Sequence, residues 1–219
     1  MSGLLTAAAA GVPMAAGWSL HALRLRCRVE AARRDPLTGL WTRDAFTERA
    51  EHRILARFRP VAVYLVDLNR FKEINDTHGH AAGDAVIRAT GERLAAWADY
   101  CSAVVGRLGG DEFAAIAWVY SHDHLNETLH LLSEALEQPV QTAAHTLDVS
   151  ASIGAVRAHP RREQVELSEL LRLADEQMYR AKRCEAPWSN ALSLAKECPT
   201  VHGRRAGRSG THGGTEATA

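Results

Sequence analysis

Three acidic residues stand where buried strands of this chain are expected to end. Residues 61–68, "VAVYLVDL", form a continuous apolar run rich in β-branched residues, which is typical of a buried central strand, and Asp67 lies near its end. Asp111 and Glu112 lie between two further apolar runs, which indicates the turn of a hairpin. A carboxylate at the end of a buried strand loses solvation energy unless a cation or a donor neutralises it. If the strands are neighbours, these acids could share a hard cation.

The residues around these acids favour a magnesium–phosphate site. Mg²⁺ takes few carboxylates together with waters and phosphate oxygens, and this arrangement serves phosphoryl transfer. Gly109 and Gly110 precede the two acids and allow a tight turn that a phosphate can approach without meeting a Cβ. From this segment alone, an acidic hairpin tip in water explains the pattern about as well, so both interpretations stay open.

A second polar segment follows the central strand. A helix that starts near Phe71 would present free N–H groups and its positive dipole end to phosphates, and Lys72 would add a charge. Asn75 and Asp84 could hydrogen-bond a base edge, although such residues are more often caps or surface groups. Lys72 and His78 stand where a calcium loop needs Gly and Glu, so an EF-hand is rejected. The sequence has no Walker A pattern, so phosphate binding must use another device.

The length, charge and cysteine content of the chain limit the size of its core and the partners and metals it is expected to bind. The chain has 219 residues, which is enough for one core of about 150 residues plus attachments. It contains 26 basic and 26 acidic residues, so it lacks the basic field that drives nucleic-acid binding, and we expect no nucleic-acid partner. The four cysteines are scattered without metal-ligand spacing, which argues against structural zinc and against a disulfide framework.

Both ends of the chain differ from its middle. Residues 3–20 are uncharged and, with 21–23, reach the length of a membrane span, while the arginines that follow favour a cytoplasmic C-terminal side. We therefore expect residues 1–30 to be an anchor plus basic linker that holds the chain at the inner membrane; a soluble Ala-rich helix, and a cytoplasmic protein, is the alternative. Residues 184–219 lack an apolar stripe and are expected to be disordered.

Periodicity in the middle of the chain predicts an α/β fold. Apolar residues at helical spacing alternate with apolar runs typical of strands. The hairpin at 102–119 introduces antiparallel pairing, so we expect a mixed central sheet. The predicted helices cover 45–58, 83–98, 125–136 and 167–182, and the predicted strands cover 61–68, 102–108, 112–119 and 146–156.

Five ordered segments resemble the GGDEF family of diguanylate cyclases. They are "DPLTGL" at 35–40, "DLNRFKEINDTHGHAAGD" at 67–84, "RLGGDEF" at 107–113, "SIGAV" at 152–156 and "ADEQMYRAK" at 174–182. The resemblance implies a catalytic domain at 31–183 with a five-stranded mixed sheet wrapped by helices, related to nucleotidyl cyclases and polymerase palms. It also implies condensation of two GTP molecules into cyclic di-GMP with release of pyrophosphate, across a homodimer of half-sites.

The resemblance also implies roles for the metal-side residues. Asp67 and Asp111 would bind Mg²⁺ or Mn²⁺, with help from the Leu68 carbonyl. Glu112 would assist at the metal or activate the ribose 3′-hydroxyl. The catalytic set would therefore be Glu112 and Asp111, together with Lys72 on the phosphate side.

Nucleotide-binding roles follow in the same way. Asn75 and Asp84 would recognise guanine. The phosphates would be held by the Phe71 amide, by Lys72 and Lys182, and by close approach to Gly109 and Gly110.

Three positions depart from the family pattern. Asn69 stands where many relatives have a second Asp, Thr42 replaces a common Asn, and Ala186 stands where a phosphate-binding Arg is usual. The signature acids are intact, so an active cyclase is the favoured reading. The alternative is a catalytically silent GGDEF module that binds nucleotide or a partner as a regulator.

Overall fold

The structure, a computed structural model, describes residues 18, 21–56, 59–142, 145–162 and 164–192. The helices are α1 (21–32), α2 (Arg43–Leu55), α3 (Phe71–His78), α4 (His80–Cys101), α5 (His122–Leu136) and α6 (Leu167–Arg183). The strands are β1 (Trp41–Thr42), β2 (Val61–Leu68), β3 (Val104–Gly109), β4 (Glu112–Trp118), β5 (Val140–Gln141), β6 (Thr146–Leu147), β7 (Ala151–Ala158) and β8 (Trp188–Leu192).

Six of the strands form one mixed sheet in the order β1-β3-β4-β2-β7-β8. The central strand β2 is antiparallel to both of its neighbours, whereas β1 pairs with β3, and β7 with β8, in parallel. Strands β5 and β6 form a separate two-stranded ribbon. The predicted α/β class with a mixed central sheet is confirmed, and the sheet has six strands where five were expected.

Alternation along β2 divides the core into two layers. Tyr64 and Val66 face the layer formed with α4 and α5, whereas Val63 and Leu65 face the layer formed with α2 and α6. Both sides of β2 are thus covered by helices, which explains why its sequence is apolar throughout rather than alternating. A polar side chain can therefore be accommodated only near the end of this strand, and Asp67 lies there.

The sixth strand corrects the prediction for the C-terminal tail. Residues 188–192 fall in the segment expected to be disordered, yet they form β8, which pairs with β7 in the register Ile153↔Trp188. Trp188 packs against the core, and the Pro187 carbonyl accepts a hydrogen bond from the Ile153 amide at 3.0 Å. The strand is short and carries Ser and Asn, so it is stabilised by its neighbour rather than by a pattern of its own. Residues 193–219 lie outside the described residues.

The predicted membrane anchor at 3–23 lies outside the described residues except for Trp18 and residues 21–23. Within the part of the chain that is described, no helix combines the length and apolar character needed to cross a bilayer. Helix α1 is exposed along residues 21–32.

Candidate active site

Strand pairing brings the predicted acids to one edge of the sheet. Asp67 of β2 lies opposite Glu112 of β4 on one side and opposite Ser152 of β7 on the other. The Leu68 amide donates a hydrogen bond to the Asp111 carbonyl at 3.3 Å, so the turn of the hairpin is joined to the end of β2. The condition for sharing a cation, that the two strands are neighbours, is met.

The hairpin tip owes its shape to two glycines. Gly109 has φ +145° and Gly110 has φ +54°, both in the region that residues with a side chain rarely adopt. A Cβ built on either glycine would have open space around it, so the backbone angles, not crowding, require glycine here. The tip consequently presents bare backbone beside Asp111 and Glu112.

Arg107 joins this tip to the loop that contains the first motif. Its Nε and Nη2 donate to the Gly110 carbonyl at 3.0 and 2.8 Å, and its Nη1 donates to both Asp35 carboxylate oxygens at 3.1 and 3.2 Å. Asp35 also accepts hydrogen bonds from the Thr38 amide and hydroxyl. Burial opposes ionisation of Asp35, but the bonds from Thr38 and Arg107 outweigh it and lower the pKa of Asp35.

Lys182 reaches the acids from helix α6. Its Nζ lies 2.6 Å from the Asp67 Oδ1, and the Asp67 side chain is 17% exposed. Helix α6 can approach β7 this closely because Gly154 faces it: a Cβ at that position would lie 2.0 Å from the Ala174 carbonyl oxygen. The close packing of α6 on β7 therefore places the predicted phosphate-binding lysine at the strand-end acids.

Asn69 fixes the turn that follows β2. Its Oδ1 accepts a hydrogen bond from the Ser152 hydroxyl at 2.8 Å, and its Nδ2 donates to the Ser150 hydroxyl at 3.2 Å. Asn69 thus joins the end of β2 to the start of β7.

The predicted guanine-binding residues lie on the neighbouring helices α3 and α4. The Asn75 side chain lies directly over Gly83, where a Cβ would come within 2.0 Å of its Oδ1, and Phe71 packs beside it. Asp84 follows Gly83 and is exposed. Asn75 and Asp84 are therefore brought to one junction between the helices, while Lys72 is exposed on α3.

A cleft of about 750 Å³ opens beside Asp67. Its lining is Asp67, Asn69, Arg70, Glu137, Ser150, Ala151, Ser152, Ala181, Lys182, Glu185, Ala186 and Pro187. A smaller cleft of about 310 Å³ adjoins it and shares Asn69, Arg70 and Ser150. Neither described lining includes Lys72, Asn75 or Asp84, so the structure brings Asp67 and Lys182 into one cleft and leaves the guanine-binding candidates outside it.

The donor set suits a hard cation. Among the described residues, no three His, Cys, Asp or Glu side chains converge as they would in a metal cage built wholly from side chains. Asp67, Asp111 and the Leu68 carbonyl supply only oxygen atoms, at a site next to an open cleft. Mg²⁺ commonly takes one or two carboxylates and fills its remaining positions with waters and phosphates, so these residues fit it.

The structure is thus an α/β domain with a mixed sheet, acids at the end of its central strand and a glycine–acid hairpin beside them. The family model described as "Diguanylate cyclase, GGDEF domain" matches residues 32–186. The chain belongs to this family.

Relatives cover the chain to different extents. An uncharacterized 19.3 kDa protein of Streptomyces ambofaciens is 45% identical over 166 residues, which are 76% of this chain and 87% of that protein. The diguanylate cyclase DgcP of Escherichia coli is 35% identical, over 68% of this chain and 44% of DgcP. The cyclic di-GMP phosphodiesterase NbdA of Pseudomonas aeruginosa is 37% identical, over 71% of this chain but only 20% of NbdA.

Solved structures show the same fold. A sensory box/GGDEF family protein from Caulobacter crescentus matches with a TM-score of 0.62 and 34% identity, over 69% of this chain and 99% of that one. The diguanylate cyclase SiaD of Pseudomonas aeruginosa, solved with its activator SiaC, matches with a TM-score of 0.67 and 25% identity, over 84% of this chain and 70% of that one.

Three features of the site were not predicted from the sequence. Arg70 lines both clefts, and the Arg107–Asp35 contact joins residues 72 positions apart, which no local pattern reveals. Gly154 did carry a signal, because a glycine inside an apolar strand indicates close approach of another backbone.

Proposed function

We propose that this chain is a diguanylate cyclase, which condenses two GTP molecules into cyclic di-GMP and two pyrophosphates. Membership of the GGDEF family supports a nucleotidyl cyclase activity. The observation that carries the proposal is the convergence of Asp67, Glu112 and the hairpin tip at one sheet edge, with Lys182 of α6 in contact with Asp67.

In this proposal the strand-end residues hold the metal. Asp67, Asp111 and the Leu68 carbonyl would bind Mg²⁺ or Mn²⁺, which when bound neutralises charge that develops on the phosphates. Glu112 would accept the proton of the ribose 3′-hydroxyl. Its exposed position beside Asp67 leaves its carboxylate accessible to a nucleotide.

The nucleotide would extend from the strand ends to the α3–α4 junction. Asn75 and Asp84 would recognise the guanine edge. The Phe71 amide and Lys72 would contact the phosphates at the start of α3, where unpaired N–H groups favour anions. Lys182 would exchange its contact with Asp67 for one with a phosphate.

The reaction requires two copies of the chain. In each of two steps, the 3′-oxygen of one GTP bonds to the α-phosphorus of the other, and pyrophosphate leaves. One subunit holds one GTP, so two half-sites must face each other in a homodimer, and catalysis is mainly positioning and charge neutralisation.

A silent nucleotide-binding module is the second candidate, and Ala186 favours it because the α6 side of the cleft lacks a second cation. The two functions differ in turnover, not in binding. Purified protein is incubated with GTP and Mg²⁺, and bound GTP and released pyrophosphate are measured together. A cyclase releases pyrophosphate continuously, whereas saturable GTP binding without pyrophosphate release would establish the silent module.

We further propose that residues 3–23 hold the chain at the inner membrane, with residues 31–183 as the catalytic domain on the cytoplasmic side. The full-length protein is then expected in the membrane fraction after a high-salt wash. Its release by salt alone would contradict a spanning anchor.

A further inference from the structure

Arg70 has an unusual backbone conformation at the start of α3. It precedes the first residue of the helix with φ 54° and ψ 26°, the left-handed region, in which glycine and asparagine are favoured. Its carbonyl accepts hydrogen bonds from the amides of Glu73 and Ile74, so the conformation is fixed by the first turn of α3. Sparsely populated conformations of this kind cluster at ligand sites, so Arg70 is a candidate ligand-binding residue.

Arg70 is part of the lining of the cleft beside Asp67. The cations in the lining of this cleft are Arg70 and Lys182, and the acids are Asp67, Glu137 and Glu185. Lys182 is already paired with Asp67. Arg70 is exposed, and within the described residues it makes no ion pair or side-chain hydrogen bond. It is therefore the cation of this cleft that is available to an anionic ligand.

The opposite wall of the cleft is short of positive charge. After Lys182, the α6 side contributes Glu185, Ala186 and Pro187 to the lining, none of which is basic. A triphosphate carries several negative charges, and a bound Mg²⁺ compensates only two of them. Within the lining of this cleft, the other cation beside Lys182 is Arg70, on the wall formed by the β2–α3 turn.

We infer that Arg70 is a substrate-binding residue that holds the terminal phosphates of GTP from the α3 side of the cleft and supplies the charge that Ala186 cannot. This inference rests on the proposed function. A guanidinium suits the role because its parallel N–H groups match two phosphate oxygens at once. Arg70 belongs to the lining of the cleft that already contains Asp67 and Lys182.

Binding measurements with matched variants test the assignment. Arg70→Asn removes the charge but keeps a residue that tolerates left-handed φ, so the start of α3 should survive. GTP affinity is titrated with an analogue that has a methylene group between its α- and β-phosphorus atoms and therefore cannot release pyrophosphate, and GMP is titrated alongside, both with Mg²⁺. This GTP affinity should weaken about tenfold or more, since charge-assisted bonds to phosphate are lost. GMP lacks the terminal phosphates, so its affinity should change by less than about twofold. Arg88→Gln, which removes an exposed charge of α4 outside this cleft, should leave both affinities unchanged.

A rescue variant separates a phosphate contact from a merely structural effect. In the Arg70→Asn background, Ala186→Arg returns a guanidinium to the same cleft from the opposite wall and should recover most of the GTP affinity. Equal weakening of GTP and GMP, or unchanged GTP affinity in Arg70→Asn, would overturn the inference. Binding is measured without turnover, so the inference about Arg70 and the proposed function are tested separately. A wild-type chain that binds GTP through Arg70 but forms no cyclic di-GMP would refute only the proposed function.

Discussion

The Asp67 carboxylate lies between three elements of the fold. It belongs to β2, it faces Glu112 of β4, and it accepts a hydrogen bond from Lys182 of α6. Lys182 neutralises this carboxylate in the structure, and in the proposed complex a bound metal would take over that role.

Removing either metal-side acid should abolish most turnover. Asp67→Asn and Asp111→Asn each delete a negative oxygen ligand, while both residues lie at strand ends rather than in the core. We expect cyclic di-GMP formation to fall by about a hundredfold or more, on the scale of losing one preorganised electrostatic group. Unfolding midpoints should stay close to wild type. Asp99→Asn, an exposed acid on α4, is the matched control, and near-normal turnover by either active-site variant would contradict the proposed metal site.

Asp35 should make the stability of the fold depend on pH. Its pKa is lowered from the ordinary value of 3.8, because the hydrogen bonds from Thr38 and Arg107 outweigh the opposing effect of burial. The folded state therefore binds fewer protons than the unfolded state, so this contribution is full above pH 3.8 and is lost as pH falls further. Asp35→Asn should cost about 1.5–3 kcal/mol at pH 7, the range for bonds to a charged group.

Denaturant unfolding of both proteins at several pH values measures this effect. The difference in unfolding free energy between wild type and Asp35→Asn should stay constant from pH 6 to about pH 4 and shrink as the pH is lowered further towards about 2. A difference that stays constant over this range would show that ionised Asp35 does not stabilise the fold.

At this scale the sequence identifies residues but not their partners. The local patterns of an apolar strand and a hairpin identify Asp67, Asp111 and Glu112, but only the strand pairing shows that Asp67 lies opposite Glu112. The bonds of Asn69 to Ser150 and Ser152 were not predictable either, because they join residues more than 80 positions apart.

At the scale of elements, the contact between α6 and β7 positions Lys182. Gly154→Ala should weaken this contact, because the new Cβ would meet backbone atoms, 2.0 Å from the Ala174 oxygen and 2.2 Å from the Met178 nitrogen. We expect a loss of about 1–3 kcal/mol in unfolding free energy, as for other overpacked positions. GTP turnover should also fall, because displacement of α6 moves Lys182. Denaturant unfolding and turnover that both match wild type would show that α6 does not depend on this glycine.

Most elements were predictable because their apolar patterns are long. Strand β2 was predicted at 61–68 and is observed at Val61–Leu68, since a strand buried on both faces has an unbroken apolar run. The predicted strand at 146–156 is instead two strands, β6 and β7, separated by 148–150. Periodicity alone does not show where an extended segment changes its pairing partner.

At the scale of the whole molecule, β8 closes the sheet beyond the segment predicted to be ordered. A chain that stops after residue 187 should unfold at lower denaturant than one that stops after residue 192, because it loses the backbone pairing of β8 with β7 and the packing of Trp188. Unfolding of the two truncated chains under the same conditions measures the difference. Equal midpoints would mean that β8 contributes nothing to the stability of the domain.

We propose that two copies of this chain convert two GTP molecules into one cyclic di-GMP. The most direct measurement incubates the purified full-length protein with GTP and Mg²⁺ at several protein concentrations and quantifies GTP, cyclic di-GMP and pyrophosphate in each sample. We expect two pyrophosphates to be released per cyclic di-GMP formed, with a specific activity that rises with protein concentration as half-sites meet. GTP that remains unconsumed, or is hydrolysed without cyclic di-GMP, would contradict it.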